Sequence, residues 1–317
     1  MAGAYIQTVR GDVPVDSLGM WLPHEHLFTD LRGPMTPGYA EGDPLDVEYT
    51  VRPHLEAAAA LGVTAFVECS TLGVGRNVEV LKHLASITPI HIIAPTGVYK
   101  EGFIPADLLD VNVETLANLW IRDLTEGMDS TNVKAGWIKV ALSDDGPREI
   151  EVRNLQAAAI TSRATGAIIG CHTIGGVAAR KELEVLKNAG HDLSRFIWIH
   201  SQTERDTAIH LEAAQQGVWI EFDSVGAGSA ADDAAMLESV LALIDAGYVG
   251  NIMLSHDAGW YQPGEEHGIP KPNGFRGYTA LFEKFIPAMR QRGVSDDVIR
   301  QITVANPARA YAITKTR

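Results

Sequence analysis

Eight apolar, strand-like runs alternate with eight segments of helical spacing along this chain, and that alternation leaves few folds open. The runs cover residues 21–28, 65–70, 91–98, 136–143, 167–173, 196–201, 218–224 and 251–257. Most are continuously apolar, as expected of parallel strands covered on the outside by helices. Between them, residues 52–61, 77–85, 112–128, 149–165, 178–189, 204–216, 230–246 and 278–292 repeat apolar side chains at helical spacing. Gly62, Gly166, Gly190, Gly217, Gly247 and Gly293 follow six of these segments, where a left-handed C-terminal cap is wanted.

A second regularity decides between an open sheet and a closed one. His24 and His26, Lys139, His172, His200 and Asp257 each stand at or near the end of an apolar run. From Lys139 onward they are 33, 28 and 57 residues apart, which is one, one and two strand–helix units. In His24-Glu25-His26 the two imidazoles share one face of a strand and Glu25 takes the other. The six can converge only if the first and last strands are neighbours. The expectation is therefore an α/β fold of the (β/α)8 TIM-barrel class, with a binuclear metal site at the C-terminal ends of the strands.

Composition permits this. The chain has 317 residues, 46% of them hydrophobic, and no Pro/Ser/Gly-rich or like-charge stretch that would read as a linker, so residues 1–317 are expected to form one domain. A net charge of -14 disfavours nucleic acid and anionic membrane surfaces as partners and leaves small-molecule substrates. The start lacks the basic and apolar regions of a secretory signal, and no run of about 18 apolar residues could span a bilayer. A cytoplasmic location is expected. Cys69 and Cys171 do not make a disulfide framework in a chain of this size, and Cys171, next to an inward His172, should pack against the helices.

The ligand set dictates its chemistry. One lysine amine cannot bridge two cations. If neutral Lys139 adds carbon dioxide it becomes N6-carboxylysine, whose two oxygens can each take one of two divalent metal ions. A water bridging the ions then loses its proton near neutral pH, while one ion polarises a C=O or P=O bond. Asp257 can ligate one ion and accept the nucleophile's proton as general base. Nitrogen and oxygen ligands suit zinc first, with cobalt, manganese or iron also accommodated. His54, His83, His91, His191, His210, His256 and His267 read as ordinary structural or surface residues. Asp144 and Asp145, beside a glycine, read as turn chemistry, and Glu68 and Asp223 as supporting groups.

With these residues in view, the chain resembles the phosphotriesterase-like family of the amidohydrolase superfamily, which includes phosphotriesterases and phosphotriesterase-like lactonases. The likeness is carried by Leu22-Pro23-His24-Glu25-His26, Gly75-Arg76-Asn77, Ala94-Pro95-Thr96-Gly97, Ile138-Lys139, Cys171-His172-Thr173, His200-Ser201, Leu254-Ser255-His256-Asp257 and Asn306-Pro307-Ala308-Arg309. The resemblance implies that His24, His26, Asp257 and carboxylated Lys139 hold the more buried ion, that His172, His200 and the same lysine hold the other, and that a hydroxide bridges them. It also implies a homodimer.

Departures from the family pattern bear on substrate. Tyr99 stands where organophosphate-hydrolysing members resemble one another in having Trp, and lactonase-like members share the tyrosine. Its hydroxyl could bond the hydroxide or the substrate carbonyl. Ser224 and Thr203 replace the histidine and acidic residue of the organophosphate branch, and lactonases commonly have Arg at the Ser224 position. Residues 258–276 are expected to form a lid or a subunit contact, and Trp260, Tyr261, Phe275, Arg276, Asp223 and Tyr99 are the expected substrate contacts. The leading expectation is a metal-dependent hydrolase of small esters, lactones foremost, with phosphotriesterase side activity. The alternative is an amidohydrolase of a small N-acyl compound. A metal-free chain without hydrolytic activity would point instead to a binding module on the same barrel.

Overall fold

The computed structural model describes residues 3–314. Its eight main strands are β1 (Met20–Phe28), β2 (Val63–Glu68), β3 (His91–Ile93), β4 (Trp137–Ala141), β5 (Ile169–His172), β6 (Phe196–Ile199), β7 (Trp219–Phe222) and β8 (Ile252–Leu254). Helices follow them: α1 (Pro44–Ala60), α2 (Val78–Ile87), α3 (Val113–Thr125), α4 (Glu149–Thr165), α5 (Gly175–Asn188), α6 (Thr207–Gln215), α7 (Ala230–Asp245) and α8 (Ile286–Gln291). All neighbouring pairs are parallel from β1 to β8, and the chain after β3 continues as Pro95–Thr96 to reach β4. The ring closes beyond β8, where Gly259–Tyr261 pairs with β1 and the Asp257 amide donates to the His24 carbonyl at 3.2 Å. This is the (β/α)8 barrel that the alternation required.

Strand parity separates two cores. Ile138 and Val140 of β4, Ile169 and Cys171 of β5, and Ile220 and Phe222 of β7 pack outward against the helices. Trp137 and Trp219 point inward with Ala65, Val67, Ile197 and Ile199. Cys69 and Cys171 are both free thiols, and Cys171 faces the helices as expected. On β1 the parity breaks: the pairing with β2 shifts register by one residue between Leu22 and Glu25. Trp21, His24 and His26 are thus all inward, although in a regular strand the spacing would put Trp21 on the face opposite the histidines.

The barrel floor is sealed. Tyr311 stacks on Trp21 at 5.8 Å, meets the edge of Trp137 at 5.6 Å, and donates its hydroxyl to the Pro23 carbonyl at 3.0 Å. Beneath it an antiparallel hairpin, Ala4–Thr8 with Gly11–Pro14, pairs with the C-terminal strand Ile313–Thr314. Access to the interior is left to the C-terminal face of the strands. At that face Gly97 adopts φ 111°, and a Cβ there would lie 1.9 Å from the Lys139 carbonyl oxygen, so only glycine lets the loop after β3 press against β4.

Several boundaries differ from the sequence expectation. α1 begins at Pro44 rather than near 52, because Asp43 caps it by accepting from the Leu45 amide at 2.9 Å and Pro53 is tolerated inside the helix. The segment 278–292 divides into a π-helical turn, Leu281–Phe285, and α8. Helical residues Asp296–Arg300 and Asn306–Tyr311 and the terminal hairpin lie outside the anticipated units. The six glycines that follow helical segments all have positive φ. Among the described residues no helix is long and apolar enough to cross a membrane.

Candidate metal centre

His24, His26, Lys139, His172, His200 and Asp257 line one cavity of about 140 Å3 at the C-terminal face. Thr29, Leu31, Cys69, Val74, Tyr99 and Trp260 complete its wall. His172 ends β5, His200 follows β6 directly with φ 65°, and Asp257 lies past β8 with φ 48°. Lys139 sits mid-strand on β4, deeper than the histidine of β5, since Ala141 and not Lys139 is in register with His172.

Each of the four imidazoles is held by its Nδ1. Glu221 Oε1 lies 2.7 Å from Nδ1 of His24, and Asp223 Oδ1 lies 2.7 Å from Nδ1 of His200. Ser70 Oγ is 2.8 Å from Nδ1 of His26, and the Tyr99 hydroxyl is 3.2 Å from Nδ1 of His172. With every Nδ1 engaged from behind, the Nε2 atoms are left for ligation. Nε2 of His172 is buried with no hydrogen-bond partner, and Nε2 of His26 and of His24 lie 3.0 and 3.4 Å from Asp257 Oδ1. Metal-ligating histidines are oriented in this way, the outer nitrogen donating to a carboxylate or neutral acceptor and the inner one carrying the lone pair. His24, His26 and Asp257 lie close enough to share one ion. His24, His200 and Asp223 also cluster, but there Asp223 faces the Nδ1 atoms at hydrogen-bond distance and braces the rings.

The electrostatics divide the imidazoles. Burial, assisted by the Lys139 charge, pushes His24 down to about 3, and burial with the neighbouring His200 and Lys139 takes His172 well below the usual imidazole range. Both are therefore neutral, as ligation requires. Burial also opposes charge on His26 and Asp257, but their mutual bond outweighs it: His26 is raised to about 9, and bonds from His24 and His26 hold the Asp257 carboxyl well below its ordinary value. Lys139 is 2% exposed and has no ion-pair partner among the described residues.

Glu25, on the far face of β1, holds the loop that carries Asp257. Its Oε1 accepts from Ser255 Oγ at 2.7 Å, the His256 amide at 3.0 Å and His256 Nδ1 at 2.6 Å, and its Oε2 accepts from the Ala258 amide at 3.0 Å. Arg276 grips the other side of the loop through the carbonyls of His256, at 2.7 Å, and Asp257. Asp257 is thus clamped by backbone contacts that leave its carboxylate free to face the histidines.

Of the residues expected at the substrate, Tyr99 and Trp260 line the cavity and four others stand elsewhere. Asp223 is fully buried behind His200, where it also accepts from Gln202 Nε2 at 2.7 Å. Tyr261 stacks on Phe28 at 6.0 Å, Phe275 stacks on His54 at 4.1 Å, and Arg276 is committed to backbone carbonyls. Aromatic and cationic composition marks 258–276 as substrate contacts, whereas most of these side chains fix the loop to the barrel. Asp144 and Asp145 are exposed and pair with Lys100 and Arg148. Sequence reasoning misses Glu221 and Ser70. Glu221 is discernible by parity, two residues before Asp223 on the inward face of β7.

A sequence profile described as the phosphotriesterase family matches residues 4–311. A phospho-furanose lactonase of Mycoplasmopsis synoviae is 28% identical over 336 residues, covering 100% of this chain and 94% of its own. An N-acetyltaurine hydrolase of Mus musculus is 28% identical over 341 residues, covering 95% and 96%. Among solved structures, a mutant of a Deinococcus radiodurans PTE-like lactonase is 30% identical, with a TM-score of 0.86 over 96% of this chain and 99% of that one.

Proposed function

Because the chain belongs to the phosphotriesterase family, we propose that it hydrolyses small carboxylic esters, lactones foremost, and phosphotriesters weakly. It is a hydrolase, as its relatives are. The observation that carries the reading is the convergence of four Nδ1-braced imidazoles, Asp257 and Lys139 on one small cavity. The donor set fits two divalent ions, zinc foremost, with His24, His26 and Asp257 on one side, His172 and His200 on the other, and carboxylated Lys139 between. When bound, such ions supply water deprotonated near neutral pH and polarise the substrate's carbonyl oxygen.

The chain's own groups do the rest. Asp257 accepts the proton of the attacking water and returns it to the leaving oxygen. A ligating His172 carries its proton on Nδ1 and donates it to the Tyr99 oxygen, which leaves the hydroxyl hydrogen free to turn toward a carbonyl. Burial raises the Tyr99 phenol above its ordinary value, so that hydrogen is retained. Leu31, Val74 and Trp260 form apolar walls suited to the carbon skeleton of a small ester. Asp223, spent on His200 and Gln202, is poorly placed to relay protons outward, which weakens the case for efficient phosphotriester turnover.

Amide hydrolysis is the second reading, favoured by the similarity to an N-acetyltaurine hydrolase. It asks Asp257 to protonate a leaving amine. The test is a steady-state screen of the metal-loaded enzyme against lactones, linear esters, N-acyl amides and phosphotriesters. The lactonase reading predicts the highest kcat/KM on a lactone. A phosphotriester that outperforms every lactone refutes it, and an N-acyl amide that outperforms both establishes the second reading.

A further inference from the structure

We propose that Glu221 is a positioning residue for the metal centre: it fixes the ring of His24 with Nε2 turned into the cavity, and so sets how tightly the His24 side keeps its ion. The inference rests on the metal-dependent reading above. Glu221 touches neither the cavity nor a reacting atom, and acts only through His24.

Three observations support it. Glu221 Oε1 is 2.7 Å from His24 Nδ1, while the other carboxylate in reach, Asp223, stands at 3.4 Å and is already bonded to the amide and ring of His200. Without Glu221, the outer nitrogen of His24 is left with Asp223 Oδ2 at 3.4 Å, an oxygen already taken by the His200 amide. Second, the bracing is distributed evenly: His24 and His200 have carboxylates behind them, and His26 and His172 have hydroxyls, from Ser70 and Tyr99. Each half of the centre therefore has one imidazole whose nearest brace is a carboxyl group, which fixes the ring. Third, Glu221 is fully buried and its Oε2 has no partner. A half-satisfied buried carboxyl destabilises a fold, so packing gives no reason for it. Orienting an imidazole toward a cation does.

A positioning role and a purely structural one predict different signs. Wild type, Glu221→Gln and Glu221→Leu would be loaded with zinc and dialysed against a chelator series, with metal per chain counted by mass spectrometry and melting followed on metal-stripped samples. Glu221→Leu is expected to release an ion at roughly 10–100-fold lower chelator strength, as loss of an orienting partner does, while its metal-free melting temperature stays level or rises. Glu221→Gln, whose amide oxygen still accepts from Nδ1, should fall between. Metal retention in Glu221→Leu equal to wild type, or a metal-free melting temperature that drops in step with affinity, overturns the proposal. If Glu221→Leu does not fold, Glu221→Gln decides: several-fold weaker retention at unchanged metal-free melting supports it, and unchanged retention overturns it. A wild-type chain that takes up no ion removes the metal-dependent reading and this inference together, whereas two ions held equally by all three chains removes this inference alone.

Discussion

The hydroxyl of Tyr99 lies 3.2 Å from Nδ1 of His172, so a residue of the cavity wall is joined to a candidate ligand. Its ring also meets His172 edge-on at 5.3 Å, which keeps the two side chains in register even without the hydroxyl. Tyr99→Phe should thus preserve the cavity shape, remove one donor, and loosen His172. The expected result is a fall in kcat/KM for the best lactone of about tenfold, with a smaller fall for phosphotriesters, narrowing a gap expected to be about a hundredfold or ~2.7 kcal/mol. Steady-state kinetics on both classes checks this; equal losses on both would place Tyr99 in ligand support only.

Asp257→Asn tests the general base. The backbone of residue 257 is gripped by Arg276 and by Glu25 through its neighbours, so an asparagine should occupy the same place. An amide cannot take a proton from water. Turnover should fall by at least about a hundredfold, measured at matched metal occupancy because Asp257 is also a ligand. Full activity at full occupancy would assign the base elsewhere.

Lys139→Ala tests the bridge. The substitution removes the candidate for a shared anion between the two halves of the ligand set, and two bare cations would then repel across a short gap. Metal content and turnover should fall together, by more than the ~10–100-fold that supporting residues cost. Formate, acetate or propionate should restore part of both by standing in for the carbamate. Two tightly held ions and near-normal turnover without added acid would defeat the carboxylysine assignment.

What can be read in the chain follows from what is periodic in it. Lys139 and His172 lie on regular strands, where inward parity and unit spacing are enough to place them. The His24 and His26 pair is legible from its own spacing, but the register shift between Leu22 and Glu25 that turns both inward beside Trp21 is not, since a register shift has no period. Glu221 is hidden by its type: an acidic residue within an apolar run is easily taken for a surface position, and only Asp223 two residues on marks its face. The grip of Arg276 on the Asp257 carbonyl is out of reach, because side-chain contacts to backbone across a loop leave no pattern in residue order. Proline hides the start of α1 for a simpler reason. Pro44 stands at the first helical position, where a proline fits but gives no sign that a helix begins, while Pro53 is carried within the helix.

Glu182, a carboxyl on α5 that backs the strand carrying His172, should make stability depend on pH. It is fully buried, its Oε2 accepts from Thr173 Oγ1 at 2.7 Å, and its Oε1 has no partner. Burial raises it to about 8, against an ordinary value of 4.5. The folded chain therefore keeps this proton through a pH range in which the unfolded chain has lost it. Stability from this group is complete below the ordinary carboxyl value and is lost as pH rises toward about 8, after which the dependence levels off. The full loss is bounded at about 5 kcal/mol, since each tenfold change in proton affinity is worth ~1.4 kcal/mol. Glu182→Gln mimics the neutral carboxyl and cannot ionise, so it should match wild type near pH ~5 and exceed it increasingly toward pH ~8. Comparing the two melting temperatures across that range on metal-stripped protein cancels the titration of the histidines and Asp257. A difference that does not change with pH would show that Glu182 ionises at an ordinary value, and that the space behind His172 admits water or a counter-charge.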